Sequence, residues 1–278
     1  MTVSQFDKYH GLGNDFIFME DFGGNLLSKG EMLAKALCHR QFGIGADGLV
    51  FITRQGGLYT MRIFNADGTE AEMCGNAIRC MAHYLLDHGL AQGPVIQIGT
   101  LSGVKEVRQA DEWYVVDMGE PDFSFSQGNS VEIVSHDVSW TAYPVSMGNP
   151  HAVVFVDDLA SLDFTTWGPR LEAAKQWPNG ANIEFTQVLS PNQIEVRVWE
   201  RGAGATLACG TGACAAAVVS SKLGLTQGLT AGAIRVSLPG GVLAIHGGFD
   251  NHVFMSGPAV KVFSGSIDIS KIEKERKL

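Results

Sequence analysis

Apolar residues recur at Ile78, Met81, Ala82, Leu85 and Leu86, the i, i+3, i+4, i+7, i+8 spacing that lines one face of an α-helix. Gly89 stands where such a helix takes a C-terminal cap. A second helix is predicted from about Gly210 to Leu223. It is Ala-rich and apolar nearly all round, which predicts burial on every side, and Gly224 closes it. Period-two alternation marks strands at Tyr59–Phe64 and Gln193–Val198. Further strands are predicted at Trp113–Met118, Ala152–Val156, Ile234–Leu238 and Val253–Met255. The Ser-, Gly- and Asn-rich stretch Pro121–Ser135 reads as an inter-domain crossing, and the mixed-charge run Lys271–Leu278 as a frayed or surface-bound tail.

The two helices begin alike. MCGNAIRCMA at Met73–Ala82 and ACGTGACAAA at Ala208–Ala217 share one plan. Each has a Cys-Gly pair, a polar residue, a helical run and a second cysteine. The leading cysteines, Cys74 and Cys209, lie about half a chain length apart, and each follows a predicted strand within a dozen residues. The expectation is two similar halves, each running strand, loop, helix.

At 278 residues the chain is long for a single core, in keeping with two halves. Hydrophobic residues make up 45% and charged residues 18%, which predicts a globular protein with a substantial core. The formal charge of −9 argues against nucleic acid or an anionic membrane as partner. No apolar run approaches the roughly 20 residues that span a bilayer. The first residues lack the pattern of a signal peptide. Five cysteines, an odd number, favour reduced thiols in the cytoplasm over a disulfide framework.

A thiol acts as a base only as thiolate, and a helix N-terminus favours that form. Cys74 and Cys209 each precede a predicted helix by one residue, so both are expected to be activated there. Gly75 and Gly210 would let a carboxylate approach the first backbone N–H groups. Two such sites read as an acid and a base on opposite faces of an amino-acid α-carbon. Cys38, Cys80 and Cys214 read as core residues. No lysine stands in a recognisable pyridoxal phosphate context and no His/Asp cluster has metal-ligand spacing, so neither a cofactor nor a metal is expected.

Together these motifs resemble the diaminopimelate epimerase family along the whole chain. The matching segments are KYHGLGNDFIF, FGIGADGL at Phe42–Leu49, FNADGTEAEMCGNAIRC at Phe64–Cys80, GNPHAV at Gly148–Val153, ANIEF at Ala181–Phe185, WERGAGATLACGTGACA at Trp199–Ala215 and LPGG at Leu238–Gly241. The resemblance implies an α/β (α+β) fold of two pseudo-symmetric domains, each a barrel-like, mainly antiparallel sheet around a central helix. The expected division is residues 1–120, completed by 263–278, and residues 121–262. The implied activity is cofactor-independent interconversion of LL- and meso-2,6-diaminopimelate, in lysine and peptidoglycan-precursor synthesis, by a cytoplasmic homodimer. Cys74 and Cys209 take the catalytic positions, with Cys74 serving the LL isomer. Gly75, Asn76, Gly210 and Thr211 match the carboxylate cradle, and Asn14 a substrate-binding asparagine beside it. Asn65, Asn149, Asn182 and Arg201 match residues that hold the distal end of the substrate. His151 and Glu200 match polar positions important for activity, and Glu200 is also carried as substrate-binding. A guanidinium pairs bidentately with a carboxylate, which suits Arg201 to a second carboxylate on the substrate.

Some positions depart from the family pattern. Gly48 stands where some members carry glutamine, Ala77 replaces a glycine, Ala205 replaces a glutamate, and His246 falls near a frequent tryptophan. A racemase or epimerase of the same fold acting on proline, hydroxyproline or histidine is the nearest rival, although Asn76 differs from the CGH of the proline type. Phenazine-pathway isomerases lack the cysteine pair, and a non-catalytic amino-acid-binding module would bind without exchange.

Overall fold

A computed structural model of the chain describes residues 3–124, 129–247 and 251–275. Residues 125–128 of the expected crossing and 276–278 of the expected tail lie outside the described residues. The chain forms two compact units: one runs to Val116 and resumes at Pro258, the other is Asp117–Gly257.

The first unit carries β1 (Val3–Gly11), β2 (Asn14–Glu20), β3 (Gly48–Gln55), β4 (Leu58–Asn65), β5 (Glu70–Ala71), β6 (Val95–Thr100), β7 (Gly103–Ala110) and β8 (Trp113–Asp117). The second carries β9 (Val131–Ser135), β10 (Val138–Ser146), β11 (Pro150–Phe155), β12 (Asn182–Ser190), β13 (Gln193–Glu200), β14 (Gly204–Ala205), β15 (Ile234–Leu238), β16 (Gly241–Gly247) and β17 (Val253–Pro258). The last strand, β18 (Val260–Asp268), returns to the first unit and pairs antiparallel with β1. Helices α1 (Gly30–Leu37) and α2 (Gly75–Asp87) belong to the first unit, and α3 (Phe164–Glu172) and α4 (Gly210–Lys222) to the second. A terminal helix, α5 (Ile269–Glu275), follows β18 and buries Ile269 in the first core.

Both sheets follow one scheme. In the first, β18, β1 and β2 are antiparallel neighbours, β2–β3 is parallel, β3–β4 antiparallel, β4–β6 parallel, and β6–β7–β8 antiparallel. In the second, β9, β10 and β11 are antiparallel, β11–β12 parallel, β12–β13 antiparallel, β13–β15 parallel, and β15–β16–β17 antiparallel. The short strands β5 and β14 flank β4 and β13 in the same way. The fold is therefore a mostly-sheet α+β arrangement built twice. It differs from an even barrel in carrying two parallel steps per unit, each spanning a helix.

Each sheet is covered on both faces, so its central strands are buried without a break. Ile17 and Met19 of β2 pack with Leu33, Ala34 and Leu37 of α1. On the other face, Phe18 stacks on Tyr84 of α2. In the second unit Ala152, Val154, Ile183 and Phe185 pack with Leu171 of α3. The alternate residues His151, Asn182 and Glu184 are buried as well, and Glu184 lies against Gly212 of α4. Helix α4 packs against β10–β13, β15 and β16 and is buried from Gly212 to Ser220. Helix α2 packs against β1, β2, β6, β7 and β18. Its predicted apolar stripe is buried except for the half-buried Leu86, and so is everything else from Gly75 to Ala82, including Arg79 at 0% exposure. Both helices close on a left-handed glycine. Gly89 (φ 65) donates its N–H to Leu86 O and Gly224 (φ 69) to Ser221 O, while Leu90 N–H donates to Leu85 O and Leu225 N–H to Ser220 O.

One local expectation is corrected. The stretch Pro121–Ser135, expected to be a crossing, contains β9, with Ile133 buried. The strand is specified by the turn behind it: His136 (φ 48) and Asp137 (φ 62) are both left-handed, the geometry of a two-residue hairpin. Two such residues without glycine escape a search for turn signals.

Gly168 of α3 has no room for a side chain, since a Cβ there would lie 2.4 Å from the Trp199 ring. Gly168→Ala is expected to destabilise the protein by about 1–3 kcal/mol through overpacking, measured as a lowered urea midpoint.

Candidate active site

Cys74 is the N-cap of α2 and Cys209 the N-cap of α4, both with extended backbone (φ −142, ψ 122 and φ −105, ψ 113). The intrahelical ladders begin with Ile78 N–H to Cys74 O and Ala213 N–H to Cys209 O, each 2.9 Å. The N–H groups of Gly75, Asn76 and Ala77, and of Gly210, Thr211 and Gly212, therefore stand ahead of their helix ladders. They belong to helices eight or more residues long, with the positive end of the dipole at the cysteine.

Around Cys74 the groups are amides. The Cys74 sulfur donates to Asn14 Oδ1 at 3.8 Å, and Asn76 Nδ2 donates to the same oxygen at 3.1 Å. Asn14 arrives there because β1 and β2 are joined by Leu12 (φ 58) and Gly13 (φ 83), a tight turn with both residues left-handed. Asn14 Nδ2 is held by Asp47 Oδ2 at 2.9 Å. Asn65, at the exposed end of β4, donates to Thr69 Oγ1 at 3.0 Å. Gly48 pairs with Asn65 across the ladder, and a Cβ there would lie 3.1 Å from Phe64 O and 3.2 Å from the Phe16 ring. That crowding suits the glycine at this departure from the family pattern. Ala77 is fully buried in the first turn of α2 and Ala205 is exposed.

Around Cys209 the groups are titratable. His151 and Glu184 are both wholly buried, with His151 Nδ1 2.7 Å from Glu184 Oε1. His151 Nε2 lies 2.9 Å from Asn149 Oδ1. Glu184 Oε2 is buried without a hydrogen-bond partner among the described residues. Burial pushes the Glu184 carboxyl up to about 7, against the pull of His151. Glu200 accepts from Thr206 Oγ1 at 2.7 Å. Asn182 spans two segments, donating to Pro150 O and accepting from the Arg201 backbone N–H at 3.0 Å. The exposed Arg201 side chain makes a 3.3 Å contact with Asn179 O.

The expected activation of Cys209 is reversed. Burial pushes its thiol well above the ordinary range, and the negative charges of Glu200 and Glu184 push the same way. The Thr211 hydroxyl, 3.5 Å from the sulfur, and the Gly212 backbone N–H pull in the opposite direction and lose. Among the described residues no disulfide joins any of the five cysteines; Cys38, Cys80 and Cys214 are buried, and burial pushes Cys38 and Cys80 up to about 12. Among the described residues there is no cluster of three metal-ligating side chains, and no helix is long and apolar enough to cross a membrane.

The sequence-predicted residues thus gather at two helix starts: Asn14, Gly75 and Asn76 with Cys74, and Gly210, Thr211 and Glu200 with Cys209. Asn149 is tied to His151, and Asn182 to the Arg201 backbone. Three further residues went unmarked in the sequence: Glu184, Arg79 and Asp47. The signal for Glu184 was a carboxylate flanked by Ile183 and Phe185 in ANIEF, which alternation alone assigns to solvent.

A family model described as "Diaminopimelate epimerase" matches residues 6–124 and 143–262. Proteins named diaminopimelate epimerase from Pelotomaculum thermopropionicum and Synechocystis are 46% and 45% identical. These matches cover 94% and 95% of this chain and 97% and 99% of the relatives. Among solved structures, a PhzF-family phenazine biosynthesis protein of Bacillus anthracis shares the fold with a TM-score of 0.74 at 16% identity, covering 96% of this chain and all of the other. A probable proline racemase from Agrobacterium radiobacter has a TM-score of 0.72 at 15% identity, covering 96% of this chain and 93% of the other. With the two Cys-Gly helix starts in place and the match running through both units, the chain belongs to the diaminopimelate epimerase family.

Proposed function

We propose that the protein is an isomerase that interconverts LL- and meso-2,6-diaminopimelate without a cofactor, supplying lysine and peptidoglycan-precursor synthesis. The observation that carries this reading is the placement of Cys74 and Cys209 as N-caps of α2 and α4, at matching points of two matching units. Within the same reading the enzyme is a cytoplasmic homodimer, as the family resemblance implies.

The chemistry follows from the groups at each helix start. The substrate carboxylate next to the reacting carbon accepts from the leading N–H groups of both helices, Gly75 and Asn76 with Gly210 and Thr211. Those donors stabilise the charge that moves onto the carboxylate as the α-proton leaves. With the LL isomer, the Cys74 thiolate takes the α-proton and its C–H electron pair delocalises into the carboxylate. The Cys209 thiol then gives its proton to the opposite face of the carbon. One thiol and one thiolate remain, with their roles exchanged, ready for the reverse direction. The elevated Cys209 thiol suits it to hold that proton before the reaction. Asn65, Asn149, Asn182 and Arg201 hold the distal ammonium and carboxylate, and His151 with Glu200 sets the polarity near Cys209. A site that pairs a distal carboxylate rejects amino acids lacking one, which separates this substrate from proline and histidine.

In D2O under reducing conditions, LL-diaminopimelate should yield meso product carrying solvent deuterium at the inverted carbon, followed by mass spectrometry. Absence of both exchange and product would overturn the assignment. Arg201→Met should lower kcat/KM by about 100-fold or more through loss of the distal carboxylate contact; unchanged turnover would remove Arg201 from the substrate site. Because Cys209 is raised by burial first and then by Glu200, it should resist iodoacetamide until well above neutral pH. Glu200→Gln removes a negative charge beside the sulfur, favours thiolate, and should shift the onset of Cys209 alkylation to lower pH. Peptide mapping reads the labelled site.

A further inference from the structure

The two asparagines beside Cys74 have their amide directions dictated from outside. An amide has a donor end and an acceptor end, and a pair of amides can run either way unless something fixes one of them. Here both ends of the chain of hydrogen bonds are fixed by charge. At one end Arg79, which has donors only, gives Nη2–H to Asn76 Oδ1 at 2.8 Å. Asn76 must then turn its Nδ2 outward, and it donates to Asn14 Oδ1 at 3.1 Å. Asn14 in turn donates through Nδ2 to Asp47 Oδ2 at 2.9 Å, where a carboxylate only accepts. The whole run reads in one direction, from guanidinium to carboxylate.

Both terminators are themselves held. Arg79 is fully buried, donating also to Gly75 O at 3.0 Å and Pro258 O at 3.3 Å. Gly11 makes room for it, since a Cβ there would lie 2.9 Å from Arg79 Nη2 and 3.2 Å from Asn76 Cβ. Asp47 receives Arg40 Nη2 at 2.7 Å on its other oxygen, and Arg40 also grips Asp15 through two nitrogens. Neither Arg79 nor Asp47 is among the residues assigned to substrate above.

We propose that Arg79 and Asp47 are positioning residues that fix the amides of Asn76 and Asn14 so that Asn14 presents its carbonyl oxygen, and not its NH2 group, to the Cys74 sulfur. The consequence is chemical. A donor at that point would stabilise the thiolate and blunt its basicity. An acceptor leaves the thiolate unsupported on that side, so it stays basic enough to take a weakly acidic α-proton. This consequence rests on Cys74 being a base of the proposed reaction; the amide orientation does not.

The test is the rate of Cys74 alkylation by iodoacetamide at one fixed pH, read by peptide mass mapping. In Asp47→Asn, Arg40 keeps the side-chain oxygen of residue 47, so the new NH2 group faces Asn14; the Asn14 amide then reverses at the cost of its bond from Asn76, and its NH2 group turns toward the sulfur. Alkylation of Cys74 should then rise about fivefold, and diaminopimelate turnover should fall by a similar factor. Asp47→Glu, which keeps the acceptor, should stay near wild type on both measures. Removing one negative charge also favours thiolate directly, so the same substitution is repeated in an Asn14→Ala background, where the amide is gone. There Asp47→Asn should change the alkylation rate less than about twofold. An unchanged rate in Asp47→Asn alone overturns the proposal, as does an equal acceleration without Asn14. Asp47 is exposed and Arg40 keeps its two bonds to Asp15, so the fold survives the substitution. A wild-type protein inactive on diaminopimelate would sink the assigned reaction and leave the alkylation test standing.

Discussion

A helix that begins inside a protein brings several backbone N–H groups with no partner in its own ladder. Everything else at the two cysteines depends on that constraint. Helices α2 and α4 both start in the interior, with their first turns buried against the strands of their own units. A buried, electropositive start costs stability unless something negative or hydrogen-bonding meets it. Glycine at the first position of each helix, Gly75 and Gly210, keeps the approach clear of side chains. In the proposed reaction the substrate carboxylate answers the same need that the fold creates.

The two starts share a backbone and differ in chemistry. At Cys74 the surrounding groups are neutral amides, directed by charges placed further away. At Cys209 they are carboxylates and a histidine, with His151 and Glu184 wholly buried as a pair. A duplicated scaffold therefore supplies two unlike environments for the same side chain. This difference matters for a reaction that takes a proton on one side and gives it on the other, since two identical thiols would hold their protons equally.

The sequence made the helices, their glycine stops and the repeated Cys-Gly starts legible, because periodicity and capping are local properties. The strands at Tyr59–Phe64, Gln193–Val198 and Ile234–Leu238 were readable for the same reason. What escaped was set by distant parts of the chain. Glu184 alternates with Ile183 and Phe185 as a solvent-facing residue would, and only the arrival of α4 on that face buries it. Arg79 falls outside the apolar stripe of α2, yet it is fully buried, donating to the carbonyls of Gly75 and Pro258. The rise of the Cys209 thiol is hidden for a related cause: the helix start is visible in the sequence, while the burial that chiefly raises the thiol, and the carboxylates of β12 and β13 that add to it, come from distant strands.

The last strand carries a consequence for how the molecule comes into being. The first unit takes β18 as a neighbour of β1, although their paired positions, from Val3 with Asp268 to His10 with Val260, lie at opposite ends of the sequence. During synthesis the first unit has its N-terminal strands early and must wait for the end of the chain to finish its sheet. The second unit is one continuous stretch and has all its strands before that point. Until β18 arrives, β1 offers an unpaired edge to whatever strand passes by. The order of translation thus leaves the Cys74 unit as the last to close, and a ribosome that stops short releases a chain with only one finished half.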